Sequence, residues 1–402
     1  MSYVRREINK IAIIGKGTAG CMASSFFTNY HPAQIDWYYD PDTPAQSVGE
    51  GSTLPFPTAL FNELNIGYAS LEVELRGSIK KGIRKIGYGG IGDYLHEFPL
   101  GRSGVHFSAD ALQNLVPKIL QQRGINIIEE RVKSHDDIDA DYIIDCSGKP
   151  NDFKEFHQAE YVLVNATLTE QFPCQGPLFD FTLTVARPYG WVFAIPLRDR
   201  VSIGYLYNDT LNSLDEVKVD MEAFKKEYRF ENTTSQNAFT FNNYYRKNNF
   251  TDRVAYNGNA SFFLEPLEAT SVGMIEQINK YTDVILKKDF PIEAANSLYL
   301  GEIRAIEHMI MLHYYAGSKY DTPFWDLAKE RGLASTKQLV GNNTFKTILS
   351  QALTNFTKPH FNELLKEEYG QWPAFSYLQN LKGLGITQRV DDLVKEYDEL
   401  NK

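Results

Sequence analysis

Cysteine, extended basic segments and long hydrophobic runs are all scarce in this sequence. Its three cysteines, Cys21, Cys146 and Cys174, are odd in number and lack the spacing of zinc ligands, so neither a disulfide framework nor a metal site is indicated. A net charge of −10 without a long basic run argues against a nucleic-acid partner. No apolar run approaches the roughly 18 residues that cross a bilayer. We therefore expect a protein of the reducing cytoplasm without membrane or nucleic-acid partners.

The composition predicts a folded chain with a large core. A length of 402 residues suits one large domain or two fused domains. Hydrophobic residues make up 43% and charged residues 23%, which is ordinary for globular proteins. The aromatic fraction of 13% is high, and it fits either a core rich in Tyr and Phe or a pocket for flat substrates.

The order of the sequence patterns predicts a mixed α/β protein. Short apolar, β-branched runs predict strands at 11–14, 35–39, 125–131 and 141–146, and apolar periodicity predicts helices at 21–29, 60–75 and 108–123. Residues 41–57 are rich in Pro, Gly, Ser and Thr and are expected to form a loop. Glycines in 77–92 are expected to break any regular element. Residues 161–207 are β-rich, and the chain from 265 onward is mainly helical in pattern.

A glycine-rich turn follows the first predicted strand and opens the first predicted helix. Gly15, Gly17 and Gly20 form the pattern Gly-x-Gly-x-x-Gly, with Thr18 and Ala19 between the last two. The first glycine permits a tight turn, the second lets the backbone approach a pyrophosphate, and the third lets helix and strand pack closely. The helix N-terminus offers unpaired amides to the phosphates. The pattern indicates a dinucleotide site, and the alternative is a chance glycine turn.

Polar residues at the ends of two other predicted strands support the dinucleotide interpretation. Asp40 closes the second strand, where a carboxylate would accept hydrogen bonds from ribose hydroxyls. In DYIIDCSG, Asp145 and Gly148 lie at the end of an apolar strand, a place where a carboxylate and bare backbone can approach a cofactor.

Several separated segments together resemble the flavin-dependent halogenases of the tryptophan halogenase type. The segments are GKGTAG (15–20), VGEGSTLP (48–55), SIKKGIRKIGYG (78–89), GWVFAIPL (190–197), SFFLEPLEATSVGM (261–274) and SKYDTPFW (318–325). They are collinear, and their combination is far more specific than any one of them. The second segment looks like the family's flavin strap with one extra residue, which implies that Gly49 and Glu50 bind the cofactor.

The resemblance implies an α/β fold with a Rossmann-like FAD module of the flavin monooxygenase type, an antiparallel β-sheet and a mostly helical C-terminal cap. We expect an FAD-binding part at 1–155, a β-rich part that completes the FAD module and shields the flavin at 156–275, and the cap at 276–402. These parts are expected to be intimately fused, with soft boundaries.

The resemblance also implies the reaction. Reduced FAD from a separate flavin reductase would react with O2 to a hydroperoxide, and halide would attack it to give hypohalous acid. The family register places the catalytic lysine at Lys80, which would receive the oxidised halogen, and the active-site glutamate at Glu268. The acceptor would be a small, electron-rich aromatic molecule. A homo-oligomer is left open by the sequence.

Both catalytic residues also have ordinary structural interpretations. Lys80 lies beside Lys81 in a basic stretch, and by composition alone it would be an exposed, solvated lysine. Lys81 is the alternative assignment for the family's lysine. Glu268 lies close to Pro266 and could simply be a polar residue at a helix start.

The halide segment departs from the family pattern. Thr270 and Ser271 occupy the positions whose backbone amides would hold the halide beside the flavin. The family's Ser-Thr-Gly reads Ala-Thr-Ser here, so Ala269 lacks a hydroxyl and Ser271 replaces an open glycine. Because chloride is the halide that is hardest to strip of water and to oxidise, we expect a preference for bromide or iodide.

The Trp-x-Trp-x-Ile-Pro pattern is also altered. Trp191, Phe193, Ile195 and Pro196 would form a wall between the flavin and the organic substrate, with Phe193 in place of the second Trp. The smaller wall leaves a hydroxylating flavin monooxygenase or a reductase as an alternative, and a catalytically silent nucleotide-binding protein as another. The region that would build a substrate lid is short, which predicts a permissive pocket for phenols, indoles and anilines.

Overall fold

The computed structural model describes residues 7–44, 50–90, 92–288, 290–354 and 367–402. The first elements in chain order are β1 (Lys10–Ile14), α1 (Thr18–Tyr30), β2 (Gln34–Tyr39), α2 (Pro55–Leu64), α3 (Tyr68–Glu74), β3 (Ser78–Lys80), β4 (Gly82–Ile86), β5 (Asp93–Glu97), β6 (Gly104–His106), α4 (Ala109–Gln122), β7 (Asn126–Glu129) and β8 (Tyr142–Asp145). The next are β9 (Phe156–Gln158), β10 (Ala166–Pro173), β11 (Thr182–Arg187), β12 (Gly190–Pro196), β13 (Arg200–Tyr207), α5 (Leu214–Tyr228), β14 (Thr234–Thr240), β15 (Tyr244–Arg246), β16 (Val254–Tyr256) and β17 (Phe262–Phe263). The last are α6 (Ser271–Lys288), α7 (Ile292–Ala316), α8 (Pro323–Leu339), α9 (Asn343–Thr354), β18 (Glu368–Tyr369), β19 (Trp372–Pro373), α10 (Ala374–Gly383) and α11 (Thr387–Leu400).

A parallel sheet forms the nucleotide-binding half of the fold. Its described strands run in the order β16-β8-β1-β2-β7, and each neighbouring pair is parallel. Both faces of β1 are buried, because Ile11 and Ile13 join the main core and Ala12 and Ile14 pack on the other side. The carboxyl ends of β1 and β8 meet at one edge, which is where ligands bind in open sheets of this kind.

A larger mixed sheet lies beside it, with its described strands in the order β14-β10-β13-β12-β11-β4-β5. All neighbours are antiparallel except β11 and β4, which are parallel. Side chains alternate between faces along β12, so Trp191 and Phe193 face the main core while Val192 and Ala194 face the smaller core under α5. This alternation decides which residues of β12 can reach the site.

Helices complete the fold. α6 packs against α1, α8 packs against α7, and α10 packs against β5 of the mixed sheet. The second half of α7 is buried on all sides, including His313 and Tyr314. Among the described residues, none of the helices combines the length and apolarity required to span a membrane.

The predicted α/β fold class is confirmed, with parallel and antiparallel sheets and a helical C-terminal part. The division at 155 and 275 stays a prediction. As a structural fact, β16 of the middle part pairs with β8 of the first, and β4 of the first pairs with β11 of the middle part. Chain segments from the first and middle parts are therefore shared between the two sheets.

Three local predictions were wrong. The loop expected at 41–57 ends earlier, because α2 begins at Pro55, a residue favoured in the first turn of a helix. The helix expected at 60–75 is two helices, separated at Asn65, which adopts a left-handed conformation with φ of 58°. The stretch 77–92 contains β3 and β4 although it is glycine-rich. A Cβ at Gly82 would lie 2.2 Å from the His96 carbonyl oxygen, so this glycine permits close strand pairing.

Candidate active site

The turn between β1 and α1 has the geometry of a phosphate-binding loop. Gly15 adopts φ of 101°, and a Cβ there would lie 2.2 Å from the Cys146 carbonyl oxygen. A Cβ at Gly20 would lie 1.9 Å from the Gly15 carbonyl oxygen, so the first turn of α1 packs directly on the loop. Both positions therefore exclude any side chain, which is the physical reason for the glycine pattern.

The first turn of α1 carries donors that a phosphate would bind. Gly17 precedes the helix and supplies no side-chain cap, and Ala19 is buried within the first turn. The Thr18 hydroxyl is buried and has no hydrogen-bond partner among the described residues. An orphaned hydroxyl beside uncapped helical amides fits the pyrophosphate of a dinucleotide.

The two strand-end carboxylates lie at the same edge. Asp40 follows β2, is partly exposed and accepts a hydrogen bond from the Asp42 amide at 2.9 Å. Asp145 ends β8 opposite Ile14 and accepts hydrogen bonds from His135 Nε2 and the Ser147 amide, both at 2.9 Å. Burial would raise the pKa of Asp145, but these bonds hold it below its usual value.

Gly148 follows Asp145 with φ of 103°, and a Cβ there would have no heavy atom within 4 Å. This is open backbone of the kind that a cofactor can approach. With the β1–α1 turn, these features show that the donor and acceptor set at this edge fits FAD.

The strap segment connects the nucleotide edge to the lysine. Gly49 and the four residues before it, 45–48, lie outside the described residues. The Glu50 carboxylate is buried and binds Arg200 and Ser202 of β13, each at 2.5 Å. Burial raises the pKa of Glu50, and it outweighs the lowering effect of Arg200 and Ser202. Glu50 therefore anchors the strap to the mixed sheet, and a direct role in holding the cofactor stays a prediction.

Lys80 lies at the end of β3 and points into the protein. β3 pairs with β6, and strand alternation turns Ser78 and Lys80 inward. The Lys80 side chain is fully buried, and its Nζ has no hydrogen-bond partner among the described residues. Nζ lies 5.8 Å from the centroid of the Phe98 ring, and 3.8 Å from where a Cβ at Gly51 would be. The amine therefore lies beside Gly51 of the strap.

The neighbouring Lys81 has a different environment. Its side chain is exposed, and its ammonium pairs with Asp180 at 2.5 Å. Of the two lysines that the sequence left open, only Lys80 is enclosed.

The surroundings of Lys80 favour a neutral amine. Burial lowers the pKa of Lys80 to about 7; Glu268 opposes this effect and Lys85 adds to it. His106 is fully buried, and its burial and the nearby Lys80 hold its pKa well below the usual value. Since His106 binds Ser78 and Thr182 through its two ring nitrogens, it offers Lys80 no countercharge.

Glu268 lies in a buried cluster with Lys85, His96 and His313. One carboxylate oxygen, Oε1, binds Lys85 Nζ and lies 3.1 Å from His313 Nε2, and Oε2 lies 3.1 Å from His96 Nδ1. Burial would raise the pKa of Glu268, but the charges of Lys85 and His96 and the hydrogen bond from His96 hold it well below its usual value. Glu268 is therefore a carboxylate held on both oxygens.

The predicted halide segment forms the start of α6. Thr270 is buried, and its carbonyl accepts the first helical bond shown, from the Met274 amide at 2.9 Å. The amide of Ser271, the first helical residue, therefore has no intrahelical partner. Ala269 adopts φ of 53°, a left-handed conformation that is strained for an alanine. Thr270 and Ser271 lie two and three residues along the chain from Glu268.

The predicted wall follows the alternation of β12. Trp191 is fully buried, and Phe193 and Ile195 share its face of the strand. A Cβ at Gly204 would lie 2.3 Å from the Phe193 ring, so the ring lies flat across this glycine of β13. Ile195 Cδ1 would lie 3.9 Å from a Cβ at Gly51. Pro196 ends the strand, and its carbonyl accepts a hydrogen bond from Ser78 of the lysine strand at 2.6 Å.

The sequence reasoning missed four polar residues around Lys80 and Glu268, namely Lys85, His96, His106 and His313. In the sequence, Lys85 belongs to the same basic stretch as Lys80 and Lys81. Strand alternation separates it from Arg84, which is partly exposed and pairs with Asp93. The three histidines lie on β5, β6 and α7, and no local pattern connects them.

Comparisons with known proteins identify relatives of this chain. The profile of the family described as tryptophan halogenase matches residues 10–126 and 100–399. The chain is 23% identical to the tryptophan 7-halogenase RebH of Lentzea aerocolonigenes over 94% of this chain and 90% of that protein.

Solved structures share the fold. A flavin-dependent halogenase from Xanthomonas campestris superimposes with a TM-score of 0.76 at 19% identity, covering 98% of this chain and 96% of that one. BrvH, a flavin-dependent halogenase from Brevundimonas sp. BAL3, gives a TM-score of 0.76 at 18% identity, covering 98% and 95%. Fold, site and sequence profile together define an oxidoreductase of the flavin-dependent halogenase class. The chain belongs to the tryptophan halogenase family.

Proposed function

We propose that this halogenase binds reduced FAD at the β1–α1 turn and passes an oxidised halogen through Lys80 to an electron-rich aromatic molecule. Bound reduced FAD, supplied by a separate flavin reductase, would provide with O2 the oxidation of halide to hypohalous acid. The observation that carries the proposal is the Lys80 amine, which is fully buried and has no hydrogen-bond partner among the described residues. A polar group left in that state is costly unless a ligand binds it.

The neutral amine can carry the halogen. Its lone pair attacks the halogen of hypohalous acid, an N–X bond forms, and the departing hydroxide takes an N–H proton to become water. An aromatic carbon then attacks the halogen, and the N–X electron pair returns to nitrogen. Glu268, held as a carboxylate, accepts the ring proton, and the amine is restored when that proton reaches nitrogen.

The wall of β12 supports halogenation over direct hydroxylation. Trp191, Phe193 and Ile195 line one face of the strand, and Ile195 lies beside the strap next to Lys80. An apolar wall there would keep the organic substrate at the lysine and away from the flavin. The oxygen of hypohalous acid would then leave as water and would not be inserted into the substrate.

The departures from the family pattern support a proposal for the preferred halide and for the range of substrates. Ala269 has no hydroxyl, and the Ser271 side chain stands where the family has an open glycine, so the size and polarity of the halide site at the start of α6 are altered. We propose that bromide or iodide is used faster than chloride, which is the hardest of the three to strip of water and to oxidise. We further propose that several phenols, indoles and anilines are accepted. Turnover with chloride as fast as with bromide, or strict use of one substrate, would contradict these two proposals.

The decisive experiment compares Lys80→Met with Lys81→Met. Purified proteins are incubated with FAD, a flavin reductase, NADH and each halide against an aromatic panel, and products are identified by mass. Lys80→Met should bind FAD normally and form no halogenated product, while Lys81→Met should match the unaltered protein because Lys81 is at the surface. Halogenation by Lys80→Met at the normal rate would overturn the proposal, and a halide-independent gain of oxygen would indicate a monooxygenase.

A further inference from the structure

A second lysine is buried beside the first, and the two have opposite partners. Lys85 lies on β4, on the same face as Ile83, and its side chain is fully buried. Its Nζ binds Glu268 Oε1 and lies 2.7 Å from His313 Nε2. Lys80 has neither contact, and it is the like-charged neighbour of Lys85.

The tautomer of His313 explains how Lys85 is held. His313 Nδ1 lies 2.9 Å from the Met309 carbonyl oxygen, an acceptor, so Nδ1 carries the proton and donates. Nε2 then has a free lone pair and accepts a hydrogen bond from Lys85. Burial lowers the pKa of His313, and the nearby Lys85 lowers it further, in keeping with a neutral ring.

The two carboxylate oxygens of Glu268 accept a limited number of hydrogen bonds. Lys85 makes one of them, and Lys80 makes none. Oε1 is bound by Lys85 and Oε2 by His96, which also lies 3.3 Å from Asn380 Nδ2. A buried lysine is expensive unless it is paired, so Lys85 binds the carboxylate firmly. Without Lys85, the carboxylate would be free to turn toward Lys80, the other buried lysine of the site, whose Nζ has no hydrogen-bond partner among the described residues.

We propose that Lys85 is a positioning residue of the halogenation site, which holds the Glu268 carboxylate away from Lys80 and thereby leaves the Lys80 amine free to receive halogen. The inference rests on the proposed role of Lys80. It assigns the two lysines different tasks: one fixes the proton acceptor, and the other carries the halogen. The charged and titratable groups around the pair are Glu268 before α6, His96 and Tyr94 on β5, His106 on β6, His313 on α7 and Tyr377 on α10.

The test measures the ionisation of Lys80 directly, without requiring halogenation. Cyanate is a small reagent that carbamylates neutral amines, and peptide mass spectrometry reads the extent of reaction at Lys80 as a function of pH. In the unaltered protein the midpoint should lie near the lowered pKa of about 7. In Lys85→Met the midpoint should move up by about one pH unit or more, because Lys80 loses a like charge and gains Glu268 as a partner. Lys81→Met is the matched control and should leave the midpoint unchanged.

A purely structural ion pair would give a different result. Lys85→Met would then raise the midpoint of Lys80 only by the loss of a like charge, and that outcome overturns the proposal. The like-charge effect is measured on its own by comparing Lys85→Met/Glu268→Gln with Glu268→Gln, because neither variant has a carboxylate at position 268. The midpoint shift in Lys85→Met should exceed this difference, and an equal shift would refute the inference. Lys85→Gln is measured in the same way if Lys85→Met does not fold. Halogenation that survives in Lys80→Met would instead refute the proposed function and leave the labelling result standing.

Discussion

The nucleotide end and the lysine end of the site are built in opposite ways. The nucleotide end is a local turn in which Gly15 and Gly20 touch each other and the backbone just after β8 lies against Gly15. The lysine end collects residues from β3, β4, β5 and α7 around Glu268, and Lys85 and Glu268 are 183 positions apart in the chain. The first end depends on the absence of side chains, and the second on buried charges that satisfy one another. The two ends should therefore fail in different ways when single residues are changed.

The largest effect is expected at the nucleotide end, with Gly20→Ala. The added Cβ would meet the Gly15 carbonyl oxygen at 1.9 Å, so we expect a loss of about 3 kcal/mol or more in the free energy of unfolding, together with loss of FAD binding. Gly301→Ala in α7 is the matched control, because a Cβ there meets nothing within 4 Å. Thermal unfolding and flavin fluorescence titration check both. Normal flavin affinity in Gly20→Ala would show that the turn does not hold the cofactor.

An intermediate effect is expected at the lysine end when the pH is changed. Because the pKa of Lys80 is lowered to about 7, the amine is protonated below this value and neutral above it. The bromination rate under single-turnover conditions should rise about tenfold per pH unit on the acid side and level off above about pH 7, since only the neutral amine can form an N–X bond. A rate that falls as the pH rises through 7 would instead indicate that the ammonium form activates hypohalous acid by hydrogen bonding.

The smallest effect is expected from Thr18→Val, which removes the orphaned hydroxyl of the first turn of α1. A hydrogen bond to a charged phosphate contributes about 1.5 kcal/mol or more, so the Kd for FAD should rise about tenfold. The halogenation rate at saturating FAD should stay unchanged because the lysine end is untouched. Thr18→Ser should restore most of the affinity. An unaltered Kd in Thr18→Val would mean that this hydroxyl points away from the phosphates.

The nucleotide end could be predicted from the sequence because residues close together in the chain form its turn. The spacing of Gly15, Gly17 and Gly20 reports the turn directly, and the strand ends at Asp40 and Asp145 follow from short apolar runs. The helical C-terminal part followed in the same way from periodicity. Where glycines lie inside strands, as at Gly82, the pattern predicted a break and missed that a neighbouring strand required the bare backbone.

Only some residues of the lysine end could be predicted from the sequence. The family register indicated Lys80 and Glu268, but it gave no reason to expect Lys85 between them. A lysine next to an arginine in the sequence is ordinarily solvated, and only the strand partners of β4 show that Lys85 faces inward. The partners His96 and His313 come from segments that share no periodicity with it. Long-range pairing of buried charges has no signal in a single sequence.

The parallel pairing of β4 with β11 has a consequence for how the protein acquires activity. A parallel pair cannot close through a tight hairpin, and here the hydrogen bond between Thr184 and the Arg84 carbonyl spans 100 positions. Contacts between such distant segments form slowly during folding, since a long loop must be closed before they contribute. We expect the Lys85 ion pair to be among the last interactions to form after synthesis. A newly made chain would then become able to halogenate only once this pair has formed.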